Sequence, residues 1–154
     1  MAENSPFGLP HRPPFVFITA VLATEPGVSA ECVTSFRADD PMLAGHFPGN
    51  PLIPGVILTE ALAQTAGIAA ASGYPTEERP FFLLSAIRGM KFQRAARPEE
   101  VIHLRAERLA QVDDLVQFGV KATVDGAAVA EGQLVLSIAH ARRADLPGNE
   151  ERGV

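Results

Sequence analysis

The sequence has one cysteine, one tyrosine and no tryptophan, and its 13 lysines and arginines are outnumbered by 18 aspartates and glutamates. A lone cysteine, Cys32, can build neither a disulfide framework nor a cysteine metal site. On an apolar segment it reads as an inert buried thiol, in keeping with a reducing cytoplasm. A net charge of −5 argues against a nucleic-acid partner, and no phosphate-loop, dinucleotide-binding or RNA-binding signature is present. There is no HExxH or comparable metal constellation and no GxSxG nucleophile elbow, so neither a metal nor a cofactor is expected. No apolar run reaches the roughly 20 residues without an interior carboxylate that a membrane span requires.

What is present suffices for one globular domain, since 154 residues at 47% hydrophobic and 20% charged can build a single core. Its organising stretch is a stiff loop running into a helix. Residues 45–55 hold three prolines and three glycines, whereas residues 56–72 hold no proline and a single charge, Glu60. Pro54 suits a first helical turn, which predicts a helix over 54–72 with the Gly55 and Val56 amides free at its positive end. The helix is apolar on nearly every face and must be enclosed. A carboxylate there costs several kcal/mol unless it is partnered, neutral or aimed through a gap to solvent. His46 lies 14 residues before Glu60. An imidazole and a half-buried carboxyl flanking two free amides are the equipment for proton transfer beside a developing oxyanion. A carbonyl within 50–53 is expected to hold the His46 ring in one tautomer.

Taken in order, residues 1–14 read as a proline-rich arm in which His11 is a structural hydrogen-bonding residue. Residues 15–24 and 28–37 read as a hairpin around Glu25-Pro26-Gly27. The apolar run 15–22 follows Pro13-Pro14 and no basic leader, so it is taken as a strand and not a signal peptide. A short helical turn with an aspartate cap is expected over 39–44. Four strands follow the helix, over 81–93, 101–111, 115–124 and 128–139, with Asp125-Gly126 as a tight turn. In the last strand Ala130, Gly132, Leu134, Leu136 and Ile138 should face the helix. His103 and His140 read as structural or solvent-facing, and 141–154 as a flexible tail beyond a domain spanning 15–140. The order predicts an α+β fold, an antiparallel sheet wrapped around one long helix. A single curved sheet leaves one flank of such a helix open, which calls for a second subunit.

His46-Phe47-Pro48-Gly49, Pro54-Gly55-Val56 and Glu60-Ala61-Leu62-Ala63-Gln64 resemble the signature of the FabZ-type 3-hydroxyacyl-acyl-carrier-protein dehydratases. Leu9-Pro10-His11-Arg12-Pro13-Pro14-Phe15 and Lys91-Phe92 extend the resemblance over residues 9–139. It implies a hotdog fold, and the dehydration of (3R)-3-hydroxyacyl thioesters on acyl carrier protein to trans-2-enoyl thioesters in fatty-acid or related acyl-chain biosynthesis. It places His46 as the base, Glu60 as the group that positions or protonates the β-hydroxyl, and the Gly55 and Val56 amides as the oxyanion hole. It also implies a homodimer or a trimer of dimers in which the His and Glu of one site come from different chains. Phe47 and Pro54 fall where substrate approaches, although an aromatic beside prolines is equally a loop anchor.

Two positions depart from the usual pattern. Ile18-Thr19-Ala20 replaces an Asp-Arg pair, and Arg97-Pro98-Glu99-Glu100 replaces a Pro-Gly-Asp turn. Both bear on whether the enzyme is general or specialised for a polyketide or polyene pathway; a hotdog thioesterase and a non-catalytic acyl-binding module are the other readings. Arg88, Lys91, Arg94 and Arg97 place four cations and no acid within 88–97, in a chain of net −5. They are either a charged sheet edge or a docking site for the acidic carrier.

Overall fold

The computed structural model describes residues 6–139; the expected tail over 141–154 and His140 lie outside them. Six strands form one antiparallel sheet: β1 (Ala20–Glu25), β2 (Ser29–Thr34), β3 (Phe81–Phe92), β4 (Ile102–Val112), β5 (Leu115–Val124) and β6 (Ala127–Ala139), in the order β1-β2-β4-β5-β6-β3. A one-turn helix α1 (Pro41–Ala44) and the long helix α2 (Gly55–Ala71) lie between β2 and β3. The Asp40 side chain accepts the Met42 amide at the start of α1, the aspartate cap that the sequence predicts. No helix among the described residues is long and apolar enough to cross a membrane.

The sheet closes on α2 through period-two alternation. Ala30 and Cys32 of β2, Ile102, Leu104 and Ala106 of β4, and Val116, Phe118, Val120 and Ala122 of β5 are buried. Their neighbours His103, Arg105 and Glu107 point to water. α2 contributes Ala61, Leu62, Ala66 and Ala69, all fully buried, and packs against β2 to β6, leaning most on β4 and β2. Small side chains on both surfaces let the helix approach the sheet closely. Its C-terminal end is pinned to the β1–β2 turn, where the Gly27 amide donates to Ser72 Oγ at 3.1 Å. A Cβ at Gly73 would lie 2.9 Å from Gly27 Cα, so only glycine allows that backbone contact. Cys32 is buried and unpaired, and burial pushes its thiol pKa up against a lowering hydrogen bond with Thr65.

Three expectations are corrected. The first strand does not begin at residue 15: the Phe15 carbonyl and Phe17 amide bond to the Gln64 side chain of α2, so the segment crosses the helix, and sheet pairing starts only at Ala20. For the same reason the helix flank is not left open. Leu9 is buried, its Cδ2 3.8 Å from where a Cβ at Gly67 would stand, and the chain's own N-terminal segment supplies the missing cover. The apolar surface that does remain exposed includes Leu83, Leu84, Ile87 and Phe92 of β3, a twelve-residue edge strand. Finally, Ala130, Leu134, Leu136 and Ile138 of β6 are buried as predicted, but so are Val129 and Val135. Val129 occupies a bulge, because Ala122 pairs with Ala130 while Thr123 pairs with Ala128.

Candidate active site

The loop before α2 is tied to itself by backbone bonds. Phe47 N donates to Asn50 O, Asn50 N returns to Phe47 O, and Leu52 N donates to His46 O at 2.8 Å. Gly49 takes a φ of +72° to close this tight turn. His46 Nδ1 lies 3.0 Å from the Leu52 carbonyl oxygen. A carbonyl only accepts, so Nδ1 carries a proton and, in the neutral ring, the lone pair sits on Nε2. Leu52 is thus the tautomer-fixing carbonyl expected within 50–53. The Phe47 ring stacks on the imidazole with centroids 4.4 Å apart.

Pro54 is the residue preceding the helix, with φ −58° and ψ 134°, and the helix runs from Gly55 to Ala71, one residue shorter at each end than predicted. No side chain caps it, and the first amides of a helix have no intrahelical partner. The Gly55 and Val56 N–H groups therefore remain as donors. Phe92 packs at this end: a Cβ on Gly55 would meet its ring at 3.0 Å. Val56 is 76% exposed, Phe47 53% and Phe92 49%, so an uncovered apolar rim surrounds the helix start.

Glu60 sits one turn on, its side chain 21% exposed. Gln64 Nε2 donates to its Oε1 at 3.2 Å, and His11 Nε2 lies 3.4 Å from the same oxygen. Of the alternatives open to a carboxylate on this helix, the chain adopts the partnered one. Gln64 is the residue whose role the sequence reading missed; the signal was an amide side chain four residues after Glu60, on the same face of the helix. His46 and Glu60 of one chain share no hydrogen bond or ion pair. Neither lines the cavities of about 420, 240 and 700 Å³.

The four cations over 88–97 are not equivalent. Arg94 is held by Glu100 through two bonds of 3.2 and 2.9 Å, and this guanidinium keeps the Glu100 carboxyl below its ordinary range. Glu100 also accepts the Arg97 amide at 2.7 Å, so it caps the Arg97-Pro98-Glu99-Glu100 turn. Arg88, Lys91 and Arg97 make no ion pair among the described residues.

A curved antiparallel sheet around one long helix is the hotdog fold, shared by dehydratases and thioesterases. The dehydratase heterocomplex ApeI:P from Xenorhabdus doucetiae superposes with a TM-score of 0.72 at 21% identity, over 87% of this chain and 90% of that one. A hypothetical thioesterase protein with coenzyme A from Streptococcus pneumoniae superposes at 0.63 and 12% identity, over 80% and 87% of the two chains. These two likenesses establish the fold alone. Sequence goes further. The ApeI dehydratase model (ApeI-like) matches residues 23–133. The 3-hydroxyacyl-[acyl-carrier-protein] dehydratase FabZ of Acetivibrio thermocellus is 42% identical over 128 residues, 82% of this chain and 86% of that protein. FabZ of Ruminiclostridium cellulolyticum is 38% identical over 133 residues, 86% and 93% of the two. The chain belongs to this dehydratase family, that of ApeI and FabZ.

Proposed function

We propose that this chain is a 3-hydroxyacyl-[acyl-carrier-protein] dehydratase that converts (3R)-3-hydroxyacyl thioesters to trans-2-enoyl thioesters in fatty-acid or related acyl-chain biosynthesis. The observation that carries the mechanism is the Leu52 carbonyl 3.0 Å from His46 Nδ1, which leaves the lone pair of the neutral ring on Nε2. His46 Nε2 takes the α-proton, and the Gly55 and Val56 amides stabilise the charge thrown onto the thioester oxygen. As the C–O bond breaks, Glu60 hands a proton to the departing hydroxyl, which leaves as water. The α-proton taken by His46 balances the one given by Glu60. Phe47 and Pro54 border the approach of the acyl chain.

One site takes His46 from one chain and Glu60 from another, in a homodimer or a trimer of dimers. Three features support this. The two residues share no hydrogen bond or ion pair within a chain, neither lines the three cavities described above, and apolar surface is uncovered both at the helix start and along β3. Arg88, Lys91 and Arg97 are free to meet the acidic surface of a carrier protein, with Arg94 joining them through its Glu100-braced position.

The test uses 3-hydroxybutyryl and crotonyl groups, each on acyl carrier protein and on pantetheine, following enoyl absorbance and free thiol together. Interconversion of the hydroxyacyl and enoyl forms without thiol release is expected. The carrier-linked rate should fall more steeply with salt than the pantetheine rate, because screening acts over about 10 Å at 0.1 M. Thiol release without enoyl formation would make the chain a thioesterase, and neither signal would leave an acyl-binding module.

A further inference from the structure

We propose that His11 is a positioning residue for Glu60, which makes the N-terminal segment part of the catalytic apparatus; the proposal rests on the assignment of Glu60 to the dehydration site. Two nitrogens converge on one carboxyl oxygen. Gln64 Nε2 lies 3.2 Å from Glu60 Oε1, and His11 Nε2 lies 3.4 Å from it. Glu60 Oε2 receives no donor from the described residues, so it is the oxygen left to face a substrate hydroxyl.

Both partners are themselves held. The Gln64 amide receives the Phe17 N–H at 2.9 Å on its oxygen and donates from Nε2 to the Phe15 carbonyl at 3.2 Å. The His11 ring stacks on Phe15 with centroids 6.0 Å apart, and Phe15 meets Phe17 edge-on at 4.9 Å. An aromatic ladder therefore runs from the buried Phe36, through Phe17, to the imidazole. His11 Nδ1 is buried without a hydrogen-bond partner. A buried N–H with no acceptor is the costlier orphan, so the neutral ring keeps its proton on Nε2, where Glu60 is the acceptor at hand. With both nitrogens on Oε1, Oε2 is left without a partner among the described residues.

His11→Phe keeps a ring against Phe15 and removes the donor, whereas His11→Gln restores an N–H of similar reach. We expect H11F to lower kcat about tenfold, the cost of losing the 3.4 Å polar contact that helps orient the acid, with KM within about twofold. Its thermal midpoint should stay close to wild type, and H11Q should recover most of the lost turnover. His11→Met, which also lacks a donor, replaces H11F if the larger ring lowers the midpoint, with the same loss expected. Wild-type kcat in the donor-free variant, or equal losses in it and in H11Q, would overturn the proposal. Glu60→Gln is measured alongside. If E60Q is inactive while H11F is unimpaired, only the His11 role fails; if E60Q is active, the assignment of Glu60 itself fails.

Discussion

His46→Ala is expected to lower kcat for dehydration by at least about 10²-fold while the protein stays folded. The substitution removes the Nε2 base and the bond from Nδ1 to Leu52, but it leaves the backbone of the loop as it was. Leu52 N still donates to residue 46 O, and Phe47 and Asn50 still exchange their two bonds. The main-chain path into α2 therefore survives, and with it the Gly55 and Val56 amides. The thioester should bind nearly as before, so the loss falls on kcat more than on KM. Steady-state enoyl absorbance with thermal unfolding in parallel checks this, and wild-type turnover by a folded H46A would remove His46 from the mechanism.

Glu60→Gln should cost turnover on a similar scale, about 10²-fold or more, because an amide can neither give nor take the proton. It preserves volume, and its oxygen can still accept from Gln64 and face His11, so the segment over 15–17 stays clamped to α2. With volume and the contacts to Gln64 and His11 kept, the thermal midpoint should stay close to wild type. A folded E60Q that retains normal dehydration would show that the carboxyl is only structural. Alanine is the poorer probe, since it would leave two nitrogens without their acceptor.

The two variants rest on the part of the molecule most legible in the sequence. The switch from a proline- and glycine-rich loop to an unbroken apolar run announces α2, and the lone carboxylate announces Glu60, because both are local statements about backbone freedom and solvation. The strands after the helix are marked by period-two patterns and turn residues such as Asp125-Gly126, whose φ values are both positive, whereas the pairing of β3 with β6 is a long-range contact that no local pattern encodes. The path of 15–18 was misread for a physical reason. Its composition is that of a strand, yet its backbone finds partners in Gln64, 47 and 49 residues away. No local pattern encodes such a bond, and with it went the inference that the helix flank was bare. The ties of Glu60 to Gln64 and His11 are of two kinds. The first is a helical spacing that was there to be seen; the second depends on how the arm folds back, which only three-dimensional structure supplies.

The central claim is that His46 of one chain and Glu60 of another make one dehydration site. The most direct measurement mixes inactive H46A and E60Q chains, refolds them together and assays enoyl formation. A shared site predicts that each mixed dimer regains one intact site, and random pairing makes half the dimers mixed, so activity should return to about a quarter of wild type. If each site lay within one chain, every chain in the mixture would carry a defect. A refolded, dimeric mixture no more active than its two parents would contradict the account.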